Sequence, residues 1–168
     1  LRGCDVTVFD RGDNIGGKLF NAVSRERLDG DVLNTEVERL LNSGINFTLN
    51  TEVDAPKLAQ LRKDFDYVVL ATGAYRPKLP PWQGRERISP YLDFLKQVNA
   101  GKRPAIGKKV VVIGCGNSGM DVIFGAYACG AEEVVAIDVQ KPAAFQEEIY
   151  HAEKLGARIL WPAFTEQI

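Results

Sequence analysis

The sequence predicts an α/β fold, in which a parallel β-sheet is covered by helices on both faces. Two short runs, residues 109–113 and 133–138, are rich in β-branched and apolar side chains, which is typical of strands buried in such a sheet. Residues 120–129 between them are mostly apolar and long enough for a helix, which Gly130 is positioned to end. Strand, turn, helix and strand follow within about 30 residues, the size of a βαβ unit.

The first half of the chain shows the later part of a similar arrangement. Buried or half-buried strands are predicted at residues 5–10, 45–49 and 66–73, with a helix at 31–43 and a short helix from Asp54. The strand at 5–10 stands almost at the start of the sequence. We therefore expect it to be the second strand of a βαβ unit whose first strand lies upstream, and the chain to be a fragment of a longer protein.

A segment rich in proline and glycine, residues 77–84, separates the two halves. A helix between residues 90 and 101 is predicted to follow it. We therefore divide the chain into a first part at 1–75, a connector at 76–107 and a second part at 108–168.

Composition and charge narrow the classes of partner. The chain has 168 residues, an apolar fraction of 45% and a formal net charge of −1 with both signs interspersed, which gives no electrostatic footprint for nucleic acid or an anionic membrane surface. No apolar run approaches the roughly 20 residues of a membrane span. The three cysteines, Cys4, Cys115 and Cys129, form neither a disulfide framework nor a Cys-x-x-Cys pair, so we expect a cytoplasmic, reducing compartment.

A glycine-rich loop follows the strand at 109–113. Gly114 permits a tight turn off the strand, Gly116 lets a diphosphate approach the backbone, and Gly119 lets helix and strand pack closely. Asn117 and Ser118 can donate or accept hydrogen bonds there, or cap the helix. The amides that begin the helix carry partial positive charge and favour phosphate. Glycines also mark ordinary turns. Here, however, a strand, a glycine loop, a helix, a second strand and an acid follow one another, and this order predicts a dinucleotide site.

Asp138 ends the second strand, 19 residues after Gly119, close to the spacing expected of an acid that binds the adenosine ribose. Such an acid accepts from both ribose hydroxyls and repels a 2′-phosphate, which favours NAD(H). Residues 139–142 contain no arginine, although Lys141 could reach a phosphate as a point charge, so NADP(H) stays open. Asp138 could instead only cap a turn.

Taken together, the motifs resemble a known family. The segments that carry the resemblance are Val6–Asp10 with Gly16-Gly17, Val69–Gly73, Asp93–Leu95 with Val98-Asn99, and Val111–Asp121. In this order they are similar to FAD- and NAD(P)-dependent flavoproteins of the pyridine nucleotide-disulfide oxidoreductase type, most closely the small (beta) subunit of glutamate synthase. Their fold is a Rossmann-like, three-layer parallel sheet.

The resemblance implies two cofactors. Residues 1–75 would be part of an FAD domain whose own glycine loop precedes residue 1, and residues 108–168 a truncated NAD(P)H domain. The flavin-site residues would be Asp10, Gly16, Gly17, Arg27, Ala71, Thr72 and Gly73. The full-length protein would take hydride from NAD(P)H onto FAD and pass electrons to an iron–sulfur protein or subunit. The isolated chain is expected to be inactive.

Two other functions remain open. Tyr150 and Lys154 have the Tyr-x-x-x-Lys spacing of a flavin-free dehydrogenase, but the glycine pattern differs from that class. A nucleotide-binding module without turnover is the second alternative. The sequence predicts no catalytic acid or base, which fits an enzyme in which the cofactors perform the chemistry.

Overall fold

The computed structural model describes residues 3–76 and 79–168. These residues divide into two units. Unit 1 contains Leu1–Phe20 and Gly30–Tyr75, and unit 2 contains Asn21–Asp29 and Arg76–Ile168. The short segment 21–29 therefore belongs to unit 2, although the chain on both of its sides belongs to unit 1.

Unit 1 has a two-stranded parallel sheet of β1 (Thr7–Phe9) and β2 (Asn46–Thr48), paired with Val8 opposite Phe47. Its helices are α2 (Gly30–Leu41) and α3 (Ala55–Asp64), and α1 (Gly17–Asn21) ends at the start of segment 21–29. The helix α3 begins where its sequence signals predict. The carboxylate of Asp54 caps it by accepting from the Lys57 amide at 2.8 Å, and proline occupies its first turn.

The predicted strand at 66–73 is wrong. These residues all lie within the described part of the chain, and none belongs to a strand. Tyr67, Val69 and Leu70 are 90%, 85% and 70% exposed. A β-branched, apolar run becomes a strand only when a neighbouring strand accepts and donates its backbone hydrogen bonds. No strand of the described chain pairs with this run.

Unit 2 has a three-stranded parallel sheet in the order β3 (Lys109–Ile113), β4 (Glu133–Ile137) and β5 (Arg158–Leu160). Between them run α5 (Asn117–Ala128) and α6 (Gln146–Lys154), and α4 (Tyr91–Asn99) precedes the sheet. The α/β class with parallel strands is confirmed. The strand β5 was not predicted, because its three residues carry too little pattern.

The helix α5 lies at the centre of unit 2, where it packs against β3, β4, α4 and α6. Met120, Ile123 and Val134 are fully buried there. Gly125 lets α4 approach closely, since a methyl group at that position would lie 3.0 Å from the Phe94 ring. The opposite side of β3 is more open, and Val111 is 63% exposed. Within the described residues, no helix has both the length and the apolar character needed to cross a membrane.

Candidate dinucleotide-binding loop

The loop after β3 turns sharply at its first glycine. Gly114 has φ +106°, a left-handed conformation that side chains disfavour, and its amide donates to the Ile137 carbonyl of β4 at 2.8 Å. Cys115 is fully buried beneath the loop. Gly116 is extended and forms the N-cap of α5, which begins at Asn117. The chain thus passes from strand to helix in three residues.

Gly119 and Gly116 have different effects on the structure of the loop. A methyl group on Gly119 would lie 2.1 Å from the Gly114 carbonyl oxygen, so glycine alone fits there. This contact brings α5 against the end of β3, as the sequence predicted. A methyl group on Gly116 would meet no protein atom within 4 Å, and its φ of −85° is ordinary. Glycine at position 116 therefore leaves space beside the loop and relieves no internal contact.

Backbone amides line that space. Over the described ranges, no protein acceptor receives a hydrogen bond from the amides of Asn117, Ser118 or Gly119, and the first amide bonded within the helix is that of Met120, to the Gly116 carbonyl at 3.1 Å. Unpaired amides at a helix N-terminus need an acceptor, and the helix dipole makes that acceptor preferably an anion.

The loop forms one wall of a cleft of about 360 Å³, within the size range of small-molecule sites. The residues that line it are Tyr91, Val112, Ile113, Gly114, Gly116, Asn117, Ser118 and Gly119. All five predicted loop residues therefore line one cleft. The sequence did not identify Tyr91, which begins α4 and reaches the cleft because α4 packs against α5.

Asp138 lies directly beside this loop. One carboxylate oxygen accepts from the Cys115 amide at 2.7 Å, and the other accepts from the Gln140 amide at 3.1 Å. Burial raises the pKa of the Cys115 thiol to about 11, and the Asp138 carboxylate adds to the rise. The thiol is therefore neutral at physiological pH. Asp138 stabilises the loop through the Cys115 amide and the turn after β4 through the Gln140 amide.

Asn117 has a different role from the helix cap that the sequence suggested. The cap position is occupied by Gly116, and no side chain caps α5. The side-chain oxygen of Asn117 instead accepts from the Phe145 amide at 3.0 Å, while the Ala144 amide donates to the Cys115 carbonyl at 3.2 Å. The segment before α6 is thus hydrogen-bonded to the glycine loop at two points.

In unit 1, Asp10 follows β1 and accepts from the Gly12 amide at 2.7 Å. Gly16 and Gly17 both have positive φ, at +107° and +51°, and open the short helix α1. Tyr75, which the sequence did not single out, lies beside Gly17, where its hydroxyl would be 3.2 Å from an added methyl group. The flavin roles of these residues stay predictions.

Two cations flank the Tyr75 ring, with Arg11 at 5.5 Å and Lys18 at 5.8 Å from its centroid. The ring also lies against Gly73, whose φ is +70°. Ala71, Thr72 and Gly73 are exposed and do not end a strand in the described structure. In the described structure, no strand positions these three residues beside a cofactor site. Their binding role stays a prediction.

Arg27 lies in unit 2, where it forms two ion pairs. Its guanidinium contacts the Asp121 carboxylate at 2.8 Å and the Glu148 carboxylate at 2.9 Å. Asp121 is buried on α5 and also accepts from the Ser24 amide at 3.0 Å. These contacts fasten segment 21–29 to α5 and α6. The predicted role of Arg27 at a flavin stays a prediction, whereas its structural contacts were not visible from sequence, because 94 residues separate it from Asp121.

Tyr150 and Lys154 occupy exposed positions on α6. The Lys154 ammonium lies 5.3 Å from the centre of the Tyr150 ring, a contact with the aromatic face. Neither residue lines the cleft beside the glycine loop. This geometry gives no support to a catalytic Tyr–Lys pair.

Comparison with known proteins agrees with the predicted resemblance. The family model for pyridine nucleotide-disulphide oxidoreductases matches residues 2–155. The small chain of glutamate synthase (NADPH) from Azospirillum brasilense is 32% identical over 98% of this chain and 38% of its own length. The beta subunit of NADP(+)-dependent formate dehydrogenase from Moorella thermoacetica is 34% identical over 92% of this chain and 23% of its own length. The chain thus spans well under half of these relatives.

The fold has a counterpart among solved structures. FprA from Mycobacterium tuberculosis superposes with a TM-score of 0.72 over 90% of this chain and 41% of its own chain, at 20% sequence identity. At that identity the likeness shows the fold alone. It supports the Rossmann-like assignment made from the sequence.

Proposed function

Because the chain belongs to the pyridine nucleotide-disulphide oxidoreductase family, we propose that its glycine loop binds the diphosphate of NAD(P)H. The observation that carries the proposal is the set of three unpaired amides at Asn117, Ser118 and Gly119 facing a cleft. A diphosphate would accept from these amides and lie in the field of the α5 dipole. The open space beside Gly116 would admit it to the backbone.

Residues around the loop would fix the rest of the cofactor. Asp138, already held by the Cys115 and Gln140 amides, would accept from the ribose hydroxyls. Tyr91 also lines the cleft and would exclude water from part of the bound molecule. The protein would thereby bind and orient the cofactor, and no side chain near the loop is needed as an acid or base.

We further propose that the full-length protein transfers hydride from NAD(P)H to FAD and passes electrons to an iron–sulfur protein or subunit. The family assignment and the names of the two relatives, both redox-enzyme subunits, support this proposal. In unit 1, the left-handed glycines at 16 and 17 and the carboxylate of Asp10 suit a second dinucleotide. When both are bound, NAD(P)H would supply a hydride, and FAD would accept its two electrons and pass them on one at a time.

Calorimetry on the 168-residue chain tests the first proposal. We expect NADH or NADPH to bind the natural chain and Gly116→Ala to weaken that binding at least about tenfold, since the added methyl group enters the diphosphate site. Gly30→Ala is the matched control, because Gly30 also has open space around it and lies in unit 1. Equal binding by the Gly116→Ala and Gly30→Ala variants would show that the diphosphate lies elsewhere.

The electron-transfer proposal is tested on the full-length protein that contains this chain. Anaerobic addition of NADH or NADPH should bleach the flavin absorbance. A flavin that stays oxidised while the nucleotide binds would favour a binding module without turnover. Oxidation of a hydroxy substrate without flavin, abolished by Tyr150→Phe, would favour the Tyr–Lys dehydrogenase instead.

A further inference from the structure

We propose that Arg27 is a positioning residue for the glycine loop, and that the affinity of the loop for a dinucleotide depends on it. The inference rests on the proposed function, because it concerns what holds the same loop ready for the diphosphate. Arg27 does not line the cleft beside the loop. It acts through the two helices that its guanidinium connects.

The guanidinium of Arg27 lies between carboxylates from two different helices. It contacts Asp121 of α5 through Nη1 at 2.8 Å and Glu148 of α6 through Nε at 2.9 Å. The Asp121 and Glu148 side chains are only 4% and 19% exposed, so water screens these attractions less than at the surface. A planar guanidinium binds in a fixed geometry. Arg27 therefore sets the separation between α5 and α6 near the start of both helices.

A second connection between the same two helices runs through the glycine loop. Asn117 and Asp121 are four residues apart on α5 and share one face of that helix. The Asn117 side chain accepts from the amide of Phe145, the residue before α6, and Glu148 is the third residue of α6. The backbone amide of Asn117 is one of the three that lack a protein acceptor among the described residues. The Arg27 bridge thus lies one helical turn from the amides proposed to bind the diphosphate.

Loss of the guanidinium changes the forces between the helices. Asp121 and Glu148 are then two like charges with no cation between them, in a place that is poorly hydrated. Repulsion favours a wider separation of α5 and α6, which strains the bond between Asn117 and the Phe145 amide. A diphosphate needs several amides aligned at once, so a small displacement of the first residues of α5 lowers its affinity.

Segment 21–29 carries Arg27 to this position. Ala22 is buried against α4, and the Val23 carbonyl accepts from the Asn99 side chain at 2.8 Å. Because the segment is bound to the helices that shape the loop, its attachment and dinucleotide binding stabilise each other. Such a coupling is reciprocal. A bound dinucleotide therefore strengthens the contacts of Arg27.

Calorimetry with NADH and NADPH tests the dependence on Arg27. For whichever nucleotide binds the natural chain more tightly, we expect Arg27→Met to weaken binding at least about tenfold. Arg27→Lys keeps the positive charge and should recover most of the loss, to within about threefold of the natural chain. Arg158→Met is the matched control, because Arg158 is paired with Glu133 at the other end of β4. Its affinity should stay within about twofold of the natural value.

A measurement on the natural chain decides the matter even if Arg27→Met does not fold. The Arg27 Nε–H group, which contacts Glu148, gives its own ¹⁵N signal, and the rate at which its proton exchanges with water reports how often the contact opens. Saturation with the same nucleotide should slow that exchange at least about threefold. Exchange at the Arg158 Nε–H group should be unaffected.

The contrary results separate the two proposals. Equal affinities of Arg27→Met and Arg158→Met, or an Arg27 proton that exchanges at the same rate with and without nucleotide, would overturn the positioning role and leave the dinucleotide site intact. If neither nucleotide binds the natural chain while its melting curve is cooperative, the proposed function fails, and the positioning role fails with it.

Discussion

The two units contain similar apolar runs, yet only one of them turns those runs into a sheet with a core. In unit 2, β3 and β4 pair over five residues, and α5 covers them with side chains that are fully buried. In unit 1, β1 and β2 pair over three residues, α2 buries only Leu33, and residues 67–70 are exposed. The difference shows that apolar composition marks a candidate strand, whereas a hydrogen-bonded neighbour makes it one.

The largest effect is expected where unit 2 is packed most tightly. Gly119→Ala places a methyl group 2.1 Å from a backbone oxygen, so β3 and α5 must separate, and we expect a loss of at least about 3 kcal/mol in the free energy of unfolding. Both tryptophans, Trp82 and Trp161, lie in unit 2, so their fluorescence during urea unfolding reports on it. Gly116→Ala, with no clash, should unfold like the natural chain. Equal midpoints for the two variants would contradict the close packing.

The next effect concerns the ion pairs of the two units. Asp121→Asn removes the charge that faces Arg27 in a mostly buried setting, and we expect it to cost roughly 2 to 3 kcal/mol in unfolding free energy. In unit 1 the pair of Arg39 with Glu36 is exposed, so Glu36→Gln should cost less than about 0.5 kcal/mol. Urea titrations of both variants measure the contrast. Similar losses from the two substitutions would show that the Arg27 contacts do not fasten segment 21–29.

A pH effect is expected from Cys115 in unit 2. The folded chain holds the thiol proton up to a pKa of about 11, whereas the unfolded chain releases it near its ordinary value of 9.0, so stability falls as the pH rises from about 9 to 11. The loss amounts to about 2 kcal/mol over that range. Urea midpoints at several pH values should show a shallower decline in Cys115→Ala. Cys4→Ala, at an exposed position, should keep the full decline, and parallel curves for all three proteins would contradict the account.

The smallest effect is expected in the exposed run of unit 1. Val69→Ala removes two methyl groups that are already largely in water, so the melting temperature should stay within about 1 °C. The same substitution at Val134, which is fully buried in unit 2, should lower the free energy of unfolding by about 2 kcal/mol. Far-UV circular dichroism follows both. A large loss in Val69→Ala would mean that residue 69 is buried in solution.

Much of unit 2 could be predicted from the sequence. The strands on both sides of the glycine loop, the length of α5 and the position of Asp138 all follow from local pattern and spacing. Tyr91 and the Arg27–Asp121 contact could not be predicted, since both depend on residues far apart in sequence coming together. The error at 66–73 has the same origin, because the pairing of a strand is a non-local property.

The central claim is that the amides beginning α5 hold the diphosphate of a dinucleotide. Titration of the ¹⁵N-labelled chain with NADH, followed by amide chemical shifts, tests it most directly. We predict that the largest shifts occur at Gly116, Asn117, Ser118 and Gly119, with smaller shifts at Cys115. Binding that leaves these amides unmoved while others shift would contradict the account.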